Sequence, residues 1–301
     1  MEENKEKSEI KKKENWHDRY YKILLIIPVA LFLVAIIHTS LFYSSTGDFF
    51  AKDISLTGGT SVTLNGKFDE RKIKEDLSGK LAELNTREIF DVVTGEKKAI
   101  VLETVTDGEE TRQILEEYLG YKLTNENSSF EFTGSILSKS FYKQLILALL
   151  FAFLFMAVVV FILFRTFVPS SAVIISALGD ILMTLTVVNL LGIKVSSAGI
   201  VAFLMLVGYS VDTDILLTTR ILKRRKEGQL NERIYGAFKT GMTMTLTSLL
   251  AMVFAFFIVR SFSQVLTQIF TVLIIGLSFD ILNTWITNTS ILKWYAIKKK
   301  L

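Results

Sequence analysis

Cysteine is absent from the 301 residues, and only two prolines and two histidines are present. Without cysteine, disulfide bonds, thiol nucleophiles and zinc–thiolate sites are excluded. The histidines, His17 and His38, lie at or near the first apolar stretch, where polar residues often stand at a membrane interface. Neither histidine has a partner histidine nearby in the sequence. These absences lead us to predict no catalytic residues, no metal site and no cofactor.

Long apolar runs are the main feature of a sequence that is 50% hydrophobic. A helix that crosses a bilayer needs about 20 apolar residues, and several runs reach that length. The first is too long for the core of a signal peptide and has no small-residue cleavage site, so we predict that it is retained. Backbone polar groups must be paired within hydrocarbon, so each span is predicted to be a helix. The six predicted spans cover 21–43, 141–164, 167–191, 196–222, 240–259 and 265–286, the last continuing towards 295.

Basic residues fall mainly on one side of the six alternating spans. That side receives the N-terminal tail, Arg165, the loop around 223–226 and the C-terminal lysines, whereas the other receives only Lys194 and Arg260 in its short loops. Because lysine and arginine concentrate in cytoplasmic loops, we predict a multi-pass protein of the cell membrane with both termini cytoplasmic. The predicted segments are a tail (1–20), the first span (21–43), an external domain (44–140), a five-helix bundle (141–295) and a second tail (296–301).

The region between the first and second spans has the pattern of a folded α+β domain. Strand-like runs alternate with two amphipathic helices, and Thr94-Gly95-Glu96-Lys97 is typical of a hairpin turn. The predicted elements are a strand at 60–64, a helix with Ile73, Leu77, Leu81 and Leu84 on one face, strands at 88–93 and 99–105, a helix at 109–119 and a strand containing Phe130 and Phe132. This order predicts the split βαβ, ferredoxin-like arrangement. Nothing in the region indicates nucleic-acid binding.

Four aspartates fall within or at the edge of predicted spans: Asp180, Asp212, Asp214 and Asp280. An ionisable residue at bilayer depth costs about 2.5–3.5 kcal/mol on insertion scales, which favours a functional role over simple hydration or a helix–helix hydrogen bond. Asp212 and Asp214 are about 200° apart around a helix axis, so one of them can meet Asp180 or Asp280 while the other meets water, Arg220 or a partner. Carboxyl groups brought together favour binding a proton, which a proton carrier needs.

Small residues in the fourth and fifth spans favour close helix packing. The fifth span contains Gly241, Thr243, Thr245 and Thr247 with Ser248, and the fourth contains Gly199 and Gly208. Small side chains let helix backbones approach, and threonine hydroxyls bond across helices. We therefore interpret these residues as packing residues.

The fourth span also contains a motif that resembles SecF, the smaller of the paired SecD and SecF subunits of the protein-export machinery. The motif is Gly208-Tyr209-Ser210-Val211-Asp212-Thr213-Asp214, followed by Arg220-Ile221 before a basic loop. Gly58 and Gly59, within Leu56-Thr57-Gly58-Gly59-Thr60, resemble the Gly-Gly element that follows the first span in both subunits. Asp180 stands where the family has an aspartate in its third span. The run from Gly276 to Asp280, with Asn283-Thr284-Trp285 and Lys293-Trp294-Tyr295, is similar to archaeal members.

The chain departs from the bacterial pattern at three places. Bacterial SecF usually has Asn-Asp where this chain has Asp212-Thr213, which is closer to the Asp-Ala-Asn of SecD. The arginine at the start of the fifth span in bacterial SecF has no counterpart in Thr240-Gly241-Met242-Thr243. Ser55 replaces an aspartate found ahead of the Gly-Gly element in many relatives. An aspartate–arginine proton relay therefore cannot be carried over intact, and a different counter-charge, on the partner subunit for example, is expected.

The resemblance implies a half-unit of a twelve-helix SecD–SecF assembly, similar to resistance-nodulation-division transporters. Such a unit assists translocation of unfolded polypeptides through the Sec channel, and in bacteria it is thought to use the proton gradient. The implied partners are a SecD-like subunit, the Sec channel, unfolded polypeptides and membrane lipid, with no nucleic acid. Asp212 matches the acidic position of the SecD motif, so it is expected to contribute most to ion coupling, followed by Asp180 and then by Asp214 and Asp280.

Two other classes of protein fit parts of the same pattern. A proton-coupled exporter of small molecules or lipids would also carry intramembrane aspartates, although such proteins usually have large external domains. An intramembrane aspartyl protease would use Asp180 and Asp212 on adjacent spans. Ala177-Leu178-Gly179-Asp180 lacks the first glycine of the Gly-x-Gly-Asp signature, and neither proline forms a Pro-Ala-Leu sequence. We therefore predict a non-enzymatic protein.

Overall fold

The computed structural model describes residues 21, 23–91, 94–224, 228–261 and 263–299. The predicted N-terminal tail at 1–20 lies outside the described residues, as do Val92 and Val93 of a predicted strand. Residues 225–227 of the basic loop and the last two residues lie outside them too.

The described chain contains six helices long and apolar enough to cross a membrane, which confirms the predicted number of spans. They flank an α/β region (residues 48–133), as the hydropathy pattern predicts. In chain order the elements are α1 (Ile26–Thr46), α2 (Ile54–Thr57), β1 (Gly59–Asn65), α3 (Glu70–Leu77), β2 (Asn85–Phe90), β3 (Lys97–Thr104), α4 (Gly108–Leu119), β4 (Ser128–Thr133), α5 (Ser135–Phe164), α6 (Phe167–Leu190), α7 (Ser197–Leu222), α8 (Leu230–Val259), α9 (Gln264–Leu282), a π-helical turn (Asn283–Asn288) and α10 (Thr289–Lys298).

Helix α8 is longer than the apolar run that predicted it. Its first turn is polar, and the helix begins with a capping box in which Glu232 accepts from the backbone N–H of Gln229 at 2.9 Å. Such a box satisfies amide groups that a helix start leaves unpaired, so the helix forms before the hydrophobic segment is reached. The last span is likewise longer, because α9, the π-helical turn and α10 follow one another without a break.

The α/β region has the predicted order of strands and helices, and its four strands form one antiparallel sheet. The strand order is β2-β3-β1-β4. Leu102 of β3, Leu77 of α3 and Leu115 of α4 are fully buried in the same apolar cluster, so both helices pack on one face of the sheet. The opposite face is polar: Glu103 of β3 pairs in register with Ser61 of β1 and Asn85 of β2.

Two elements of this region differ from the prediction. Helix α3 ends at Leu77, so Leu81 and Leu84 are not part of it, yet both remain buried in the same apolar cluster. Glu83 has a φ of 51°, which a continuing helix does not allow. Strand β2 covers Asn85–Phe90, so it begins before the predicted start at residue 88, because its pairing with β3 begins at Asn85. Tertiary pairing therefore decides the strand where local alternation is weak.

Residues 49–55 attach the α/β region to the helix bundle. Asp53 N donates to Val195 O at 3.0 Å, and Val195 N donates to Ala51 O at 2.7 Å. The hydroxyl of Ser55 accepts from the backbone N–H of Ser197 at 3.1 Å. These bonds join the chain after α1 to the loop between α6 and α7.

Helices α6 and α7 form the centre of the bundle. Each contains more buried residues than any other helix, whereas α5 and α8 expose long rows of leucine, valine and phenylalanine. Close approach depends on glycine at two points: a Cβ at Gly276 of α9 would stand 2.5 Å from the Leu206 side chain, and one at Gly241 of α8 would stand 2.6 Å from the Trp285 ring. Gly241 and Gly276 therefore serve helix packing.

Candidate functional site

Three of the four predicted aspartates meet inside the helix bundle. Asp180 of α6 and Asp214 of α7 have no exposed surface, and Asp280 of α9 is 1% exposed. All three lie on helices that pack against one another at the centre of the bundle. We call Asp180, Asp214 and Asp280 the carboxyl triad. Each of the three carboxyl groups is held by neutral polar side chains.

Asp180 is bonded on both carboxyl oxygens. Ser210 Oγ donates to its Oδ2 at 2.5 Å, and Asn283 Nδ2 donates to its Oδ1 at 2.7 Å. Gly179 makes room for this arrangement, since a Cβ there would stand 2.9 Å from Asn283 Nδ2. The side chains of α7 and of the π-helical turn therefore position the carboxyl group of α6.

Asp214 receives its hydrogen bonds on one oxygen only. Asn288 Nδ2, Thr284 Oγ1 and Ser176 Oγ approach Oδ1 at 2.7, 3.0 and 3.4 Å. Oδ2 is buried and has no hydrogen-bond partner within the described part of the chain. A buried, ionised oxygen without a donor is costly, whereas a protonated oxygen removes the charge. Oδ2 is therefore a position suited to carry a proton.

Asp280 shares its partners with neighbouring acceptors. Thr284 Oγ1 lies 3.0 Å from Asp214 Oδ1 and 3.1 Å from Asp280 Oδ1. Thr213 Oγ1 lies 3.1 Å from both Asp280 Oδ2 and the carbonyl oxygen of Ser210. A hydroxyl group has a single hydrogen to donate, so it cannot serve two acceptors at full strength. A proton on Asp280 resolves one of the two conflicts, because the carboxyl group then donates to the hydroxyl oxygen.

Charge balance favours the same protonated state. In the part of the chain that the structure describes, the ion pairs lie in the α/β region and its junction with the bundle, and none involves the carboxyl triad. Uncompensated buried carboxylates cost several kcal/mol each, on the order of a buried ion without its partner. The triad is therefore arranged to bind positive charge, and a proton is the smallest carrier of it.

Asp212, which the motif resemblance ranked first for ion coupling, lies outside the carboxyl triad. It is exposed on α7, on the same side as Gly208 and Tyr209, whereas Ser210 and Asp214 point into the bundle. Within the described part of the chain nothing stands within 4 Å of a Cβ built on Gly208, so none of the described helices packs against it. The 200° separation of Asp212 and Asp214 thus places the second aspartate, not the first, among the other carboxyl groups.

The remaining motif residues are structural or peripheral. Arg220 is half-buried near the end of α7, where its Nη1 lies 3.3 Å from the Cβ position of Gly236. Gly58 ends α2 with a φ of 85°. Gly59 has a φ of 150°, and any Cβ there would overlap the carbonyl oxygen of Thr104. The Gly-Gly element therefore lets β1 start directly against β3.

The donors from the π-helical turn were missed in the sequence analysis. Asn283, Thr284 and Asn288 follow Asp280 at spacings of three, four and eight residues, so the helical period brings them to one side of the last span. That spacing was visible in the sequence, although the π-helical turn was not. Two buried cations were missed as well: Arg233 is 4% exposed and donates to the carbonyl oxygen of Ile221 at 2.6 Å, and Lys293 is 2% exposed with its Nζ 5.5 Å from the Tyr21 ring.

The triad does not have the donor set of a metal centre. Across residues 21–299, apart from the undescribed positions, no group of three or more His, Cys, Asp or Glu side chains could hold a metal ion. Amides and hydroxyls fill the space between the carboxyl groups.

Comparison with known proteins gives consistent matches over most of the chain. The family described as "Protein export membrane protein SecD/SecF, C-terminal" matches residues 114–298. The protein-export membrane protein SecF of Methanocaldococcus jannaschii is 42% identical over 282 residues, covering 91% of this chain and 95% of that protein. SecF of Methanothermobacter thermautotrophicus is 39% identical, with 91% and 92% covered, and SecF of Pyrococcus furiosus is 37% identical, with 93% and 92% covered.

The fold is similar to a solved structure as well. The crystal structure of SecDF from Thermus thermophilus, described as a translocon-associated membrane protein, matches with a TM-score of 0.69 at 19% identity. The match covers 92% of this chain but only 38% of the SecDF chain. The identity to the archaeal proteins, over nearly their full length, decides the family. The chain belongs to the SecF family of protein-export membrane proteins.

Proposed function

We propose that this chain pairs with a SecD-like subunit to assist translocation of unfolded polypeptides through the Sec channel, and that protons bound by Asp180, Asp214 and Asp280 couple this work to an ion gradient. The observation that carries the coupling is the carboxyl triad, buried and held by neutral donors alone. Membership of the SecF family favours protein export over small-molecule or lipid export and over proteolysis.

Movement at the triad has a direct mechanical route to the α/β region. Asp180 and Asp214 lie on α6 and α7, and the loop between these two helices bonds to residues 51–55. Gln268 of α9, the helix of Asp280, donates to the carbonyl oxygen of Lys194 in the same loop at 2.6 Å. All three helices of the triad therefore end at one junction, and a change in their packing reaches the base of the sheet.

The α/β region is proposed to be external and ferredoxin-like. The antiparallel strand order β2-β3-β1-β4 with two helices on one face is what a split βαβ unit requires. Its external position is supported by the charge bias, because only Lys194 and Arg260 fall in the short loops of the same side. Both termini are then cytoplasmic.

Cysteine labelling should report this topology cleanly, because the chain has no cysteine of its own. Lys67→Cys, in the exposed turn after β1, should react with an impermeant thiol reagent added to intact cells. Lys223→Cys, exposed after α7, should react only after the membrane is opened, which makes it the matched control. Labelling of Lys67→Cys only from the inside would overturn the external position of the α/β region.

A face of α7 supports association with a partner in the membrane. The exposed residues of that face follow the helical period and end with Asp212: they are Val201, Leu204, Met205, Gly208, Tyr209 and Asp212. A carboxylate facing lipid is costly, whereas a partner helix can supply a hydrogen bond or a counter-charge. We therefore assign this face to the SecD-like subunit and place Asp212 at the contact between the two subunits.

A bulky residue on this face should break the pairing. Gly208 is exposed and nothing described lies within 4 Å of its Cβ position, so the side chain of Gly208→Trp would point away from this chain and fill the space of a closely packed partner helix. We expect a tagged variant to lose copurification of the SecD-like subunit, while Leu154→Trp on the exposed side of α5 retains it. Unchanged recovery of the partner with Gly208→Trp would show that this face is not the contact.

A further inference from the structure

A cavity separates the sheet of the α/β region from the helix bundle. Its volume is about 400 Å³, and its walls include Arg87 and Glu103 from the sheet, Asp53 ahead of α2, and Lys194 and Gln268 from the bundle. A second cavity of about 180 Å³ shares the Asp53, Glu103 and Gln268 walls. Glu103 therefore stands between the two cavities, in the middle of the junction.

The charges around Glu103 come from several elements of the junction. Arg87 of β2 and Lys194 of the α6–α7 loop attract its carboxylate, and Asp53 repels it. Lys194 also pairs with Glu83, at 3.8 Å, and Glu131 of β4 lines the smaller cavity. The neighbouring surfaces of β1 and α9 add only neutral groups, among them Ser61, Gln264 and Gln268.

Hydrogen bonds hold the junction along one edge, and beyond that edge the Lys194–Glu83 ion pair, at 3.8 Å, also crosses it. On the fixed edge, residues 51–55 bond to 195–197, and Gln268 holds the same loop through Ser196 and Lys194. Away from that edge the two cavities leave the sheet and the bundle apart. A tilt of the α/β region about the hydrogen-bonded edge would open the junction and expose Glu103 to water.

We propose that Glu103 is a second proton-binding site of this protein, separate from the carboxyl triad, and that its proton strengthens docking of the α/β region on the helix bundle. This inference goes beyond the proposed function and does not require ion coupling by the triad. It adds a response to the pH of the solution that surrounds the α/β region.

The direction of the pH effect follows from the environment of Glu103. Burial and the nearby Asp53 raise the pKa of this carboxyl group, against the opposing effect of Arg87 and Lys194, to about 7 in the docked arrangement. A glutamate exposed to water has a pKa of about 4.3. Docking therefore takes up a proton between these values, so it is favoured below the lower pKa and weakens as the pH rises through about 7.

Pulsed electron paramagnetic resonance can measure the docking directly. Spin labels on Lys98→Cys of β3 and Leu191→Cys after α6, both exposed, report the distance between the α/β region and the bundle in the full chain with its partner in lipid nanodiscs. We expect a narrow distance distribution on the acid side and a broad one on the alkaline side, with the change falling between about 4.3, the pKa of an exposed glutamate, and the Glu103 pKa of about 7.

Substitutions should move the transition in opposite ways. Glu103→Gln, which cannot ionise, should keep the narrow distance distribution on both the acid and the alkaline side. Arg87→Gln removes an attraction to the ionised carboxylate and should shift the midpoint to higher pH. Glu131→Gln, which alters another carboxylate of the junction, should leave it unchanged.

The proposal is overturned by either of two results: distances in the parent protein that do not change with pH, or a Glu103→Gln variant with the parent transition. Failure of the ion-coupling proposal would look different. Asp214→Asn or Asp280→Asn would then retain gradient-stimulated export, whereas the pH-dependent distances would stay those of the parent protein.

Discussion

Asp214→Asn and Asp280→Asn should each abolish the stimulation of protein export by a proton gradient while preserving assembly with the partner. An asparagine matches the shape of a protonated aspartate but cannot release a proton, so the triad would stay in one state. The donors from Thr284 and Asn288 still find an amide oxygen at position 214, and the amide nitrogen takes the place of the unpartnered Oδ2. Folding is therefore expected to survive the change.

The measurement is translocation across vesicle membranes with and without an imposed pH gradient. Asp212→Asn is the informative comparison, because it lies on the same helix two residues away but on the partner-facing side. Full stimulation in Asp214→Asn and Asp280→Asn, with its loss in Asp212→Asn alone, would move the coupling from the triad to the subunit contact. That result would contradict our assignment and agree with the motif-based expectation.

Gly59→Ala should destabilise the α/β region strongly. The backbone at Gly59 has a φ of 150°, and a Cβ would overlap the Thr104 carbonyl oxygen, which cannot move without breaking the β1–β3 pairing. The backbone conformation costs a residue other than glycine about 1–3 kcal/mol. Steric overlap in a packed interior adds about 1–3 kcal/mol.

Limited proteolysis across a temperature series would detect the change as earlier cleavage within the α/β region. Gly79→Ala is the matched control, since nothing lies within 4 Å of its Cβ position and its φ is not positive. We expect Gly79→Ala to leave the cleavage temperature within the scatter of the parent protein. Equal sensitivity of both variants would mean that Gly59 is not a steric requirement.

The span count could be predicted from sequence because membrane helices are identified by length and hydropathy alone. Their exact starts could not, since polar first turns such as that of α8 depend on capping. The order of the α/β elements was also predictable, from alternation and turn residues. The position of β2 was not, because Asn85, Thr86 and Arg87 show no apolar alternation, and only the pairing with β3 selects them.

Only the structure shows which of Asp212 and Asp214 faces the interior of the helix bundle. The helical period shows that the two aspartates face different ways, but the apolar residues of α7 surround most of its circumference, so no polar face identifies the interior. In a soluble protein the buried face of a helix is apolar and the exposed face is polar. In a membrane the exposed face contacts lipid and is apolar too, so polarity does not distinguish the two faces. The motif resemblance pointed to Asp212, whereas the packing of α6, α7 and α9 places Asp214 among the other buried carboxyl groups.

The π-helical turn gives the last span an extra residue at the place where it contacts two members of the triad. Asn283 bonds to Asp180, Asn288 bonds to Asp214, and Thr289 Oγ1 bonds to the carbonyl oxygen of Thr284 at 2.9 Å, across the widened turn. A residue inserted into a helix rotates everything after it by about 100° relative to an α-helix. A return of this turn to α-helical form would therefore separate Asn288 from Asp214 and rotate α10 about its own axis.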